Sequence, residues 1–98
     1  MRVGFIQNNP VFGNVQENLS RVERLLPAHN ADLFVLPELF ATGYQFANKE
    51  EAYSLAEAVP EGATTRTLMA LAKKTHTFII AGLVEIDAGQ VYNSAVII

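Results

Sequence analysis

Four consecutive apolar residues, Leu33-Phe34-Val35-Leu36, stand between Asp32 and Pro37-Glu38. An unbroken run of this length is the pattern of a strand covered on both faces, as in a parallel sheet. An earlier, mostly apolar run from Arg2 to Gln7 reads as a first strand, and the polar cluster Asn8-Asn9-Pro10 closes it as a loop. Between the two runs, Asn14 and Glu17 form a variant capping box. Val15, Leu19, Val22 and Leu26 follow at spacings of four, three and four, which predicts an amphipathic helix ending near Pro27. Strand, helix and strand within 37 residues is a βαβ unit, whose crossover is right-handed. The predicted fold class is α/β.

The second half extends this plan. A glycine-containing stretch, Ala41 to Ala47, leads to Asn48 and Glu51, a second capping pair for a short helix through Ala58 that Pro60-Glu61-Gly62 breaks. From about Thr64 a third helix presents Leu68, Leu71 and Ala72 on one side. Lys73, Lys74 and His76 fall in its last turn, where positive charge suits the helix dipole. Thr77 to Val84 reads as a buried strand, and Asp87-Ala88-Gly89 turns it into Val91 to Ile98, an antiparallel hairpin. Two mismatches follow. The strands are apolar on both faces, yet three helices cover only one face properly, so a further layer is required. The last residues, Ala95-Val96-Ile97-Ile98, form an apolar strand with no polar cap, which would leave an adhesive edge. The expectation is a truncated domain, or one completed by a partner chain.

Composition narrows the function. The 98 residues are 50% hydrophobic and 17% charged, a globular composition with room for one core. Ten acidic against seven scattered basic residues give a net charge of −3, which provides no footprint for nucleic acid or an anionic membrane. The strongest apolar run, Phe78 to Val84, is far short of the roughly 20 residues that span a bilayer. The absence of cysteine excludes a disulfide or a thiol nucleophile within the chain and fits a cytoplasmic protein.

Glu38 is the residue on which chemistry would rest. It follows a predicted buried strand at its C-terminal end, the edge where open α/β sheets gather ligands, and Pro37 keeps a helix from starting at Leu36. Apolar neighbours Leu36, Leu39 and Phe40 would thin the hydration of its carboxylate, as suits a general base. The plain alternative is a charged residue leaving the core at a strand end. Position alone leaves both open.

The stretch Leu36-Pro37-Glu38-Leu39-Phe40-Ala41-Thr42-Gly43-Tyr44 resembles the first signature block of the nitrilase superfamily, the carbon-nitrogen hydrolases. Val3-Gly4-Phe5-Ile6-Gln7, Asn18-Leu19, Ile80-Ala81-Gly82 and Tyr92-Asn93-Ser94-Ala95 are similar to further family segments, in order along the whole chain. The resemblance implies an αββα sandwich of which residues 1–98 are the N-terminal part, about the first third of a single domain. It also implies an amidase-type hydrolase that turns a small amide into a carboxylic acid and ammonia through a cysteine thioester. The family's triad is Glu-Lys-Cys, and the resemblance gives Glu38 the role of base. The Lys and Cys would be supplied by sequence beyond Ile98, so the chain alone should be inactive. Lys49, Lys73 and Lys74, all on predicted helices, are expected to be solvated rather than catalytic. The implied partners are the remainder of the domain and, by family habit, further copies in a homo-oligomer. The competing reading is a non-catalytic truncated remnant serving as an interaction module.

Lesser candidates have ordinary alternatives. Phe40 and Tyr44 are candidate substrate-binding residues beside Glu38, although aromatic residues after a strand more often pack. Asn93 could support the site by hydrogen bonding, but satisfying strand backbone is the more ordinary role for it. His29 and His76 lie 47 residues apart without a companion at ligand spacing, so no metal site and no cofactor are expected. Asn18-Leu19-Ser20 fits a glycosylation pattern but falls in a predicted helix and is read as chance.

Overall fold

Each strand runs only as far as its apolar residues have a neighbour to pair with. The computed structural model describes residues 1–98, and its strands are β1 (Val3–Phe5), β2 (Leu33–Val35), β3 (Phe78–Asp87) and β4 (Gln90–Ile97). They form one sheet in the order β1-β2-β3-β4, parallel across the first three and antiparallel between β3 and β4. The fold is α/β, with the hairpin where the sequence places it. Ala88 and Gly89 both have positive φ, 49° and 76°; a two-residue turn of that kind matches the twist of the strands it joins.

The helices are α1 (Val15–Leu25), α2 (Lys49–Leu55) and α3 (Ala63–Thr75), and a short 3-10 turn over Leu26–Ala28 follows α1. None is long and apolar enough to cross a membrane. The two asparagine caps form as the spacing predicts: Asn14 Oδ1 accepts from the Glu17 amide at 3.3 Å, and Asn48 Oδ1 accepts from the Glu51 amide at 2.9 Å. Helix α2 ends at Leu55 rather than Ala58, because the next residues are taken into the sheet. The Glu57 amide donates to the Val84 carbonyl, and the Ile86 amide donates to the Glu57 carbonyl, both at 3.0 Å. Helix α3 starts after Gly62 with no side-chain cap of its own. The Glu57 carboxylate takes that role, accepting from the Thr64 amide at 2.8 Å and from the Thr64 hydroxyl, where a negative charge also suits the helix dipole.

Helices α1 and α3 supply Leu19, Val22, Leu68, Leu71 and Ala72 to one core with Phe34, Ile79 and Ala81 of the sheet. The opposite sheet face has no such cover. Register puts Val3, Leu33 and Phe78 in one row and Phe5, Val35, Ile80 and Ile97 in the next. Phe5, Phe78 and Ile97 on these rows are 73%, 62% and 76% exposed. The mismatch foreseen from the apolar strands is therefore present in the molecule: the helices pack one face of the sheet, and the other is left open along β1, β2 and the start of β3.

Candidate active site

The turn carrying Glu38 begins where β2 runs out of donors. Leu36 extends the pairing with β3, its amide reaching the Ile80 carbonyl at 2.8 Å, and Pro37 has no amide with which to continue. The chain then turns through Glu38 to Thr42, closed by the Gly43 amide on the Leu39 carbonyl at 2.8 Å. Leu39 is held at φ 50°, a left-handed conformation that disfavours side chains. Its own burial, to 6% exposure, keeps it there, and such locally strained backbone persists only where packing over-determines it.

Two further contacts fix the turn. It crosses the bare face of the sheet directly over Gly82: a methyl group on Gly82 would lie 3.0 Å from the Glu38 α-carbon and 3.2 Å from the Leu39 nitrogen. With glycine the backbone passes freely, whereas any side chain would force the turn or the strand to shift by a few tenths of an ångström. From the other side, Asn18 is wholly buried in α1. Its amide donates to the carbonyls of Val11 at 2.9 Å and Ala41 at 2.8 Å and accepts from the Val11 amide at 2.8 Å. Asn8 donates to the Phe40 carbonyl at 3.1 Å. The turn is thus tied to the loop after β1 and to the first helix, and Asn18 is closed to any modification.

The Glu38 side chain itself is exposed, and the expectation of thin hydration is corrected within these residues. Leu36, Leu39 and Phe40, which were to shield it, are themselves 4%, 6% and 0% exposed, and Leu36 and Phe40 join the core. The physical reason is the alternation of side chains at the strand end and the reversal of the turn, which send sequence neighbours in opposite directions. An apolar cleft of about 300 Å³, lined by Phe5, Ile6, Gln7, Val35, Leu36 and Pro37, opens at the ends of β1 and β2 immediately before Glu38. Glu38 is not part of its wall.

Phe40 takes the more ordinary of its two expected roles: it is fully buried in the core with Leu19, Leu26 and Ile79 as fellow members. Tyr44 is exposed and lines a cleft of about 120 Å³ with Asn9, Pro10, Phe12, Gly43 and Gln45. Asn93 changes role in the other direction. Rather than satisfying strand backbone, its Nδ2 donates to Glu38 Oε1 at 3.2 Å. Lys49, Lys73 and Lys74 are exposed on α2 and α3. The chain therefore presents one anchored carboxylate with one amide donor, beside a sheet face that lacks its second layer.

The carboxylate stands at the C-terminal end of a parallel strand, the edge at which open α/β sheets gather ligands. The sequence model of one family, Carbon-nitrogen hydrolase, matches residues 2–98, and the chain belongs to that family. It is 42% identical over its whole length to a nitrilase of Pyrococcus abyssi, of which it spans 38%. To the 2-oxoglutaramate amidase of Bacillus subtilis it is 32% identical over 94% of the chain, spanning 35% of that protein. The fold superposes on a crystal structure of an N-terminal amidase with a TM-score of 0.90 at 26% identity, covering 99% of this chain and 24% of that one. The chain thus spans between about a quarter and two fifths of these relatives and has the fold of the N-terminal portion of such a hydrolase.

Proposed function

We propose that this chain supplies the general base of a hydrolase acting on the carbon-nitrogen bond of a small amide. The observation that carries the reading is Glu38, anchored over Gly82 and bonded to Asn93 at the open face of the sheet. Membership of the carbon-nitrogen hydrolases, and relatives that include a nitrilase and amidases, support the reaction class.

In the mechanism that this membership suggests, Glu38 accepts the proton of a cysteine thiol as sulfur attacks the amide carbon. A lysine stabilises the resulting oxyanion. The proton passes to the departing nitrogen, ammonia leaves, and an acyl thioester remains. Water then adds to the thioester, yielding the carboxylic acid and restoring the thiol. The chain contains no cysteine, and its lysines stand on the exposed sides of helices. The nucleophile and the oxyanion donor are therefore assigned to protein outside residues 1–98, packed on the bare sheet face. That cover would also supply the desolvation which the exposed Glu38 lacks here.

The test is chemical. The complete protein, given a panel of small primary amides, should release ammonia and acid in equal amounts, and hydroxylamine should intercept the intermediate as a hydroxamate. Turnover of a substrate without any hydroxamate would remove the thioester route.

A further inference from the structure

Asn93 is the single hydrogen-bond partner of the Glu38 carboxylate, and it stands 55 residues further along the chain. It sits on β4 opposite Val84 of β3, two residues along from the Gly82–Ala95 pair, so it shares the sheet face over which the Glu38 turn crosses. The two partners are mounted on fixed parts. Asn93 rides in the middle of an eight-residue pairing between β3 and β4, and the Glu38 backbone passes so close over Gly82 that a β-carbon there would lie 3.0 Å from the Glu38 α-carbon. An ionised carboxylate only accepts hydrogen bonds, so the amide must face it with its NH2 group. A neutral donor holds the carboxylate without cancelling its charge, as a lysine would, and without repelling it, as an aspartate would.

From this juxtaposition we infer that Asn93 is a positioning residue for the proposed base: it occupies Oε1 of Glu38 and leaves Oε2 as the oxygen that accepts the thiol proton. The inference rests on the base assignment above. It adds a division of labour between the two carboxylate oxygens and a source for the rotamer of an otherwise exposed side chain, in which a freely rotating carboxylate would present either oxygen at many angles.

The experiment compares Asn93→Ala, Asn93→Asp and Asn93→Gln in the complete enzyme, measuring the single-turnover rate of acyl-enzyme formation, kcat and KM, and thermal midpoint. A hydrogen bond to a charged group, lost from the proton-transfer step, should lower the acylation rate of Asn93→Ala by about 10- to 100-fold, with KM within about twofold. Asn93→Asp keeps the shape but turns the donor into a repelling acceptor and should lose more. Asn93→Gln retains an amide on a longer arm and should recover part of the rate. In a Glu38→Gln background, Asn93→Ala should cost nothing further, because its effect passes through that carboxylate. Wild-type acylation by a folded Asn93→Ala, or a loss of equal size in the Glu38→Gln background, would overturn the inference. Should Asn93→Ala fail to fold, the isosteric Asn93→Asp decides the matter by the same rate. If Glu38→Gln alone acylates at the wild-type rate, the base assignment falls and takes this inference with it. An unaffected Asn93→Ala beside an inactive Glu38→Gln removes the Asn93 inference alone.

Discussion

The α-carbon of Glu38 lies where a side chain of residue 82 would have to go: a β-carbon built on Gly82 comes within 3.0 Å of it. This contact joins a turn that follows β2 to the middle of β3. Together with the Asn18 and Asn8 bonds to the Ala41 and Phe40 carbonyls, it fixes how closely the turn lies on the sheet.

Gly82→Ala should therefore act on both stability and chemistry. The methyl group meets backbone rather than a flexible side chain, so the turn must rise or β3 must sink. Overpacking of this kind typically costs about 1–3 kcal/mol. The thermal midpoint should fall and, in the complete enzyme, kcat should fall further than the loss of folded protein explains. Retention of both the midpoint and kcat would show that the turn has slack.

Asn18→Leu tests the other anchor. The substitution keeps the volume but leaves the Val11 amide and the Val11 and Ala41 carbonyls without the partner they have now. Orphaned buried backbone groups cost about 1–3 kcal/mol each. Denaturant unfolding should show a loss of several kcal/mol, on the order of 3 or more, well above that of Asn8→Ala, which removes one bond from a less buried residue. Equal losses for the two would contradict the expectation that the three bonds of Asn18 hold the turn more strongly than the one of Asn8.

Phe40→Leu separates packing from substrate contact. With its ring at 0% exposure in the core, the smaller side chain should lower stability by about 1–2 kcal/mol. It should leave KM for any amide substrate of the complete enzyme within about twofold. A large KM change at unchanged stability would restore Phe40 to the substrate site.

Much of the framework was legible in the residues alone. The unbroken run Leu33 to Leu36 identified an interior parallel strand, the 3.6-residue spacing of Val15, Leu19, Val22 and Leu26 identified α1, and both asparagine caps bonded as their spacing required. These are local signals, and local geometry decides them. The site was less legible because its contacts join distant residues. That Leu36, Leu39 and Phe40 are themselves buried was invisible, since adjacency in sequence says nothing about direction once a strand ends in a turn. Two clues were available. Gly82 interrupts an otherwise apolar strand, which signals a close backbone approach. Asn18 falls on the apolar stripe of α1, three residues after Val15 and four before Val22, where a polar side chain must have buried partners. The bond between Asn93 and Glu38 had no comparable signal, because a polar residue in an edge strand is unremarkable by itself.

The most direct test of the central claim is the acylation rate of Glu38→Gln in the complete protein. The amide side chain preserves size and can still face Asn93, so the fold should be kept and the midpoint should move little. Without a base on that turn, acyl-enzyme formation should drop by on the order of 100-fold or more. A folded Glu38→Gln protein that forms the thioester at the wild-type rate would show that the proton goes elsewhere.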